Sequence, residues 1–231
     1  MNLIPQVIRR NAEHLLGPMV QLLVRLHIRP NTITTGGTLL VIGAAVAFAL
    51  GRAHWGGLLL LVSGIFDMLD GRVARDGDQR TVFGAFYDST LDRVGESALF
   101  TGFAIYFLNG GVPRERVLSG VILSCTALAA SLIVSYTRAR AEGLGIECNV
   151  GIAQRAERIL LLGIPTLFFG AGRNGALVFW IVAVLALATV VTVAQRIVHV
   201  AHTAGAIPVR PMRTRDTLPG RAPALQSRKG T

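Results

Sequence analysis

Apolar residues along this chain fall into six long blocks, at roughly 32–50, 55–74, 83–108, 117–140, 155–171 and 174–200. Each is long enough to cross a bilayer as a helix, which takes about 20 residues. The last is long for one span, so its far end is expected to project from the membrane. Short turns containing Gly, Arg or Pro separate the blocks: Gly51-Arg52-Ala53-His54, Asn109 to Arg114, and Gly170 to Asn174. The segment from Arg138 to Ala153 is a longer polar loop. Residues 1–29 follow a different pattern, with Leu3, Ile4, Val7 and Ile8, then Leu15 to Leu26, interrupted by arginines and His14. That pattern predicts an amphipathic helix lying on a membrane surface. It has no small-residue cleavage site after a basic start, so it is not read as a signal peptide. Pro30 then breaks the chain, and Asn31-Thr32-Ile33-Thr34 opens the first span. These polar residues either cap the helix or face a ligand phosphate from its N-terminus. From 204 to 231 the chain is rich in Pro, Arg, Thr and Ser without apolar periodicity, which predicts a disordered basic tail.

The expected fold is therefore an all-α integral membrane protein: a surface helix over 1–29, a six-helix domain over 30–203 and a tail. With 52% hydrophobic residues in 231, the composition agrees. Charge sets the orientation. With an even number of spans both termini share a side, and that side carries Arg9, Arg10, Arg25, Arg29, Arg72, Arg75, Arg80, Arg138, Arg140, Arg155, Arg158, Arg196 and the basic tail. The opposite loops hold Arg52, Arg114, Arg116 and Arg173. The positive-inside rule then puts both termini in the cytoplasm of a cell (inner or plasma) membrane. A net charge of +10 raises nucleic acid as a partner. Basic residues scattered over short loops make no continuous phosphate-tracking surface, so no nucleic-acid partner is expected; the collar attracts anionic membrane lipids instead. Cys125 and Cys148 suggest no disulfide framework, and His199 and His202 read as interfacial residues.

Among thirteen acidic residues, Asp67, Asp70, Asp88 and Asp92 sit inside or at the rim of apolar blocks. Carboxylates at membrane depth are costly and are usually paired, metal-bound or functional. Asp67 and Asp70 are three apart and Asp88 and Asp92 four apart, so each pair shares one helix face. Two such faces together would make an oxygen-rich cage suited to a hard cation such as Mg²⁺.

The segment reads D-x-x-D-G-x-x-A-R-x8-G-x3-D-x3-D, from Asp67 through Gly71, Ala74, Arg75 and Gly84 to Asp92. It resembles the signature of the CDP-alcohol phosphatidyltransferase family, with every position filled. The resemblance implies a Mg²⁺-dependent transferase with a pair of Mg²⁺ or Mn²⁺ ions per site, held by Asp67, Asp70, Asp88 and Asp92. It assigns the CDP-lipid to Asn31, Thr32, Ile33, Thr34, Asp67, Gly71, Ala74, Arg75, Thr81 and Gly84. Asp92 would be the general base for the acceptor hydroxyl, with the active site on the cytoplasmic side. A homodimer is implied too, and small residues such as Gly102 and Ala127 permit close helix packing.

Arg93 directly after Asp92 resembles the inositol-phosphate branch of the family. The glycerol-phosphate branch has a proline and a lysine in this stretch. Ser135 to Glu142 and Gln154-Arg155-Ala156-Glu157-Arg158 resemble the fourth and fifth spans of bacterial phosphatidylinositol-phosphate synthases, Gln154 being a departure. Arg138, Arg155, Arg158 and Arg196 could then bind the acceptor phosphate, or could be ordinary positive-inside residues. The expected reaction transfers the phosphatidyl group of CDP-diacylglycerol to inositol phosphate, with release of CMP. Phosphatidylglycerophosphate synthesis and a cardiolipin-type transfer are the alternatives within the family. An ion transporter is the alternative outside it, although the acids cluster at one third of the bilayer and make no through path.

Overall fold

A computed structural model describes residues 6–152 and 155–205. Residues 1–5 of the expected surface helix, Gln154 and the tail beyond Gly205 lie outside the described residues, as do the side chains of 6–15. The described chain is all-helical. It runs α1 (Gln6–Arg25), α2 (Pro30–Ala49), α3 (Ala53–Asp76), α4 (Val82–Tyr106), α5 (Arg114–Glu142), α6 (Arg155–Phe169) and α7 (Ala176–Ala204), with a wide turn over Phe107–Gly111 and a short 3₁₀ turn over Arg173–Gly175.

Helices α2 to α7 coincide with the six apolar blocks to within a few residues at each end, α3 and α5 running past theirs. Apolarity ends before the backbone does, so α5 begins at Arg114 and α3 continues to Asp76. Among the described residues, three helical stretches are long and apolar enough to cross a membrane: Pro30–Ala49, Arg114–Glu142 and Arg173–Ala204. The aspartates and arginines of α3 and α4 lower their hydropathy, and α6, with Pro165 inside it, has only 15 residues.

Pro30, rather than an Asn or Thr cap, starts α2. Arg29 occupies the N-cap without a side-chain hydrogen bond, and Pro30 takes the first turn, where its missing N–H costs nothing. Asn31 and Thr32 thus lie within the first turn, their side chains spared from capping.

The core joins α2 to α7 through Phe48, Leu60, Phe103, Phe107, Leu162, Val182 and Leu185. Close backbone approaches fix the pairs that matter for the site. A Cβ on Gly57 of α3 would fall 2.5 Å from Thr166 Oγ1 and 2.6 Å from Leu167 N on α6. One on Gly102 of α4 would fall 2.5 Å from Ala45 O on α2. Several buried hydroxyls are satisfied within their own helices: Thr38 donates to Thr34 O, Ser124 to Gly120 O and Thr189 to Leu185 O. The outward faces are apolar, including Leu118 and Ile122 on α5 and Trp180, Val184 and Leu187 on α7. Helix α1 docks through Val20 against Ile33, Leu69 and Val73 and leaves Met19 and Leu22 uncovered, as is Leu26 in the turn that follows.

Candidate active site

The acidic residues occupy one end of the bundle, where α3 and α4 converge beneath the start of α2. Carboxylate oxygens of Asp67, Asp88 and Asp92 lie within 4.8 Å of one another. Asp67 comes from α3, while Asp88 and Asp92 stand one turn apart on α4. Asp70, on the buried side of α3, instead accepts a 2.8 Å hydrogen bond from Thr34 Oγ1. It still feels the charges of Asp67 and Asp88. The structure thus gathers three of the four aspartates directly and ties the fourth to α2. The Oδ1 atom of Asp88 is buried and has no hydrogen-bond partner among the described residues. Three converging carboxylates with such an orphaned oxygen fit a hard divalent cation.

Of the residues assigned to the CDP-lipid from the resemblance, Thr34 reaches the acids through Asp70, and those at the starts of α2 and α4 meet one another. Thr81 caps α4, its Oγ1 accepting from Gly84 N at 2.9 Å. A Cβ on Gly84 would lie 3.0 Å from Thr81 Oγ1 and 3.4 Å from Asn31 Oδ1, so glycine lets the starts of α2 and α4 meet. Around Gly71 the nearest atom to such a Cβ is Arg75 Nη1, at 3.5 Å, which leaves the α3 surface open between Asp67 and Arg75. Ile33 is buried, Thr32 and Arg75 are exposed, and Ala74 O accepts from Gln79 N in the turn after α3.

The arginines divide into two groups. Arg155, at the start of α6, reaches into the acids: Nη1 is 2.5 Å from Asp92 Oδ1 and Nε 3.5 Å from Asp67 Oδ1. These are ion pairs without aligned hydrogen bonds. Arg138 is exposed and pairs with Glu142 at 2.8 Å. Arg196 is buried and spends its donors on backbone, with Nε on Val150 O at 3.0 Å and Nη1 on Val134 O. Arg158 turns inward, pairing with Glu96 Oε1 and donating to Ser131 Oγ at 2.5 Å. All four line one open cavity of about 1270 Å³, together with Asp88 and Asp92.

Glu96 and Ser131 were not among the residues singled out from the sequence. Ser131 donates to Glu96 Oε2 at 2.6 Å, and Arg93 Nη1 approaches the same oxygen at 3.3 Å. A signal was present: Glu96 follows Asp92 by four and Asp88 by eight, continuing their stripe along α4. Thr35, whose hydroxyl meets Tyr87 OH at 3.0 Å, was likewise passed over.

Comparison with known proteins matches this geometry to a family. The model of the CDP-alcohol phosphatidyltransferase family matches residues 27–192. The chain is 39% identical to a phosphatidylinositol phosphate synthase from Cutibacterium acnes over 194 residues, covering 80% of this chain and 91% of that one. Crystal structures of the Mycobacterium tuberculosis phosphatidylinositol phosphate synthase superpose with a TM-score of 0.72 and cover 84% of this chain. One, with CDP-DAG bound, is 30% identical and is covered over 98% of its length. The other, in complex with manganese and citrate, is 32% identical and is covered over 92%. A signature read from Asp67 to Asp92, a converging acid cluster and a family match across most of the sequence agree: the chain belongs to the CDP-alcohol phosphatidyltransferase family.

Proposed function

We propose that this protein transfers the phosphatidyl group of CDP-diacylglycerol to a hydroxyl of inositol phosphate and releases CMP. What carries the reading is one cavity in which Asp92 faces Arg155, with Arg138, Arg158 and Arg196 along the same wall. A carboxylate in this cavity suits a hydroxyl that must lose its proton, and guanidinium groups beside it suit an acceptor bearing a phosphate, which free inositol or serine lacks. The relatives support the same acceptor, since the Cutibacterium acnes protein is named for it.

In the proposed mechanism Asp92 accepts the proton of the acceptor hydroxyl. The oxygen attacks the β-phosphorus of CDP-diacylglycerol, and the bond from that phosphorus to the CMP oxygen breaks. Asp67, Asp70 and Asp88, with Asp92, would hold a pair of Mg²⁺ or Mn²⁺ ions, which polarise the phosphoryl oxygens and neutralise the leaving group. The manganese-bound relative is consistent with such ions. The starts of α2 and α4, with Asn31, Thr32, Ile33, Thr34, Thr81 and Gly84, hold the nucleotide together with Gly71, Ala74 and Arg75. Arg155, nearest the base, holds the acceptor phosphate with Arg138, while Arg158 and Arg196, committed to Glu96 and Ser131 and to the carbonyls of Val134 and Val150, brace the cavity they line.

The reading extends to the membrane. Helices α2 to α7 form six spans of a cell-membrane protein, over 30–203, with the acid cluster and both termini cytoplasmic; 1–29 lies on the surface, and 204–231 is a tail. Two such chains form a homodimer. Reporter fusions at Gly110 and Gly220 are expected to report opposite compartments, and the same compartment for both would overturn this topology. The acceptor is tested with purified protein, CDP-diacylglycerol and Mg²⁺, following CMP release with inositol phosphate, inositol, glycerol phosphate and serine. Inositol phosphate alone is expected to support turnover, and chelation is expected to stop it. Turnover with glycerol phosphate and none with inositol phosphate would move the protein to the other branch.

A further inference from the structure

Asp92 and Glu96 lie four apart on α4, and Arg155 and Arg158 lie three apart on α6, so each helix presents its pair on one face. The two faces meet as two rungs, Asp92 with Arg155 and Glu96 with Arg158. The outer rung opens onto the cavity. The inner rung is buried, with Glu96 and Arg158 each 8% exposed among Leu99, Phe100, Ile159 and Leu162, Arg158 still contributing to the cavity wall. Its polar groups are accounted for. Ser131 of α5 donates to Glu96 and accepts from Arg158, closing a three-residue ring across three helices, and Arg93 adds a fourth partner.

We propose that Glu96 is a positioning residue: by holding Arg158, it sets where α6 presents Arg155 to Asp92 and the acceptor. The packing explains why such a device is needed. Helix α6 sits backbone to backbone on α3 at Gly57 but approaches α4 only sparsely, so long side chains set its register there. A planar guanidinium fixes direction as well as distance, and a buried ion pair suits registry better than net stability. The acid cluster is built by α3 and α4 alone, from Asp67, Asp88 and Asp92, and its one link to the ring among the described residues is Arg93, 3.6 Å from Asp92 Oδ2. The proposal rests on the reading that Arg155 receives the acceptor phosphate.

That separation gives the test. In Glu96→Gln, KM for inositol phosphate is expected to rise about tenfold, the scale seen when a supporting partner of a functional side chain is lost. KM for CDP-diacylglycerol and Mn²⁺ affinity, read by electron paramagnetic resonance on the purified protein, are expected to stay unchanged. The double variant Glu96→Gln/Arg158→Gln, an uncharged pair of similar shape, is expected to recover part of the loss. An unchanged acceptor KM in folded Glu96→Gln, or a parallel loss in all three readouts, would overturn the proposal. Should Glu96→Gln not fold, Ser131→Ala is read in the same way, with a smaller rise expected. A further readout is independent of the acceptor: spin labels at Val94 and Leu160, in a Cys125→Ala/Cys148→Ala background, report the α4–α6 distance. Glu96→Gln is expected to broaden that distribution. If wild-type protein releases no CMP with inositol phosphate, the acceptor reading has failed and the labels decide: broadening supports the ladder, and an unchanged distribution overturns it.

Discussion

Asp92→Asn is expected to abolish CMP release while CDP-diacylglycerol still binds. Asparagine keeps the shape of the side chain but can neither take a proton nor carry a charge, so the substitution removes the base together with one anionic metal ligand and the partner of Arg155. A positioned general base is worth about 10²–10⁴-fold in rate, or about 3–5 kcal/mol of transition-state stabilisation. Asp92 lies one turn along α4 from Asp88, and its Oδ1 is in contact with Arg155 and not with the α2 residues that would hold the nucleotide. Asp67 and Asp88 remain as carboxylates close to each other, so the lipid nucleotide keeps its anchor. Equilibrium binding of labelled CDP-diacylglycerol alongside turnover with inositol phosphate checks both halves. Turnover near the wild-type rate would remove Asp92 from the role of base.

The second large effect belongs to Arg155. Hydrogen bonds to charged groups contribute roughly 1.5–3 kcal/mol each, so Arg155→Gln is expected to raise KM for a phosphorylated acceptor about 10–100-fold. Arg155→Lys keeps the charge but loses the planar fork and should fall between the two. Removing the cation also leaves Asp67 and Asp92 without their nearest positive neighbour, so kcat should change as well. The decisive comparison is with CDP-diacylglycerol: an equal rise in its KM would count against a separate acceptor pocket. Arg158→Gln makes a useful contrast. Arg158 is committed to Glu96 and Ser131, so its loss should act through stability and register before it acts on phosphate.

Much of the local structure was written in the chain. The helix pattern of α2 to α7 followed from blocks of apolar residues, because every backbone polar group at membrane depth must be satisfied inside its own segment. That Asp88 and Asp92 stand together on one face of α4 followed from helical periodicity, whereas Asp70, three from Asp67, turns to Thr34 instead of joining the cluster. The start of α2 was harder. Asn31 and Thr32 are good caps by residue type, yet Pro30 takes the first turn and shifts the cap to Arg29.

The sequence by itself therefore determined which residues share a helix face, and the full spacing from Asp67 to Asp92 identified the family. Contacts between helices were decided only by the tertiary structure. Asp70 turns to Thr34 of α2, 36 positions away, and Arg158 finds Glu96, 62 positions away. Arg196, which the sequence offered as a phosphate ligand, has its guanidinium on the carbonyls of Val134 and Val150. Nothing in local spacing separates Arg155, which reaches the acids, from Arg158, which is buried against Glu96 and Ser131. The two differ by one helical turn in depth. Depth depends on how close α3, α4 and α5 come to α6, which is fixed by glycine contacts and core packing far along the chain.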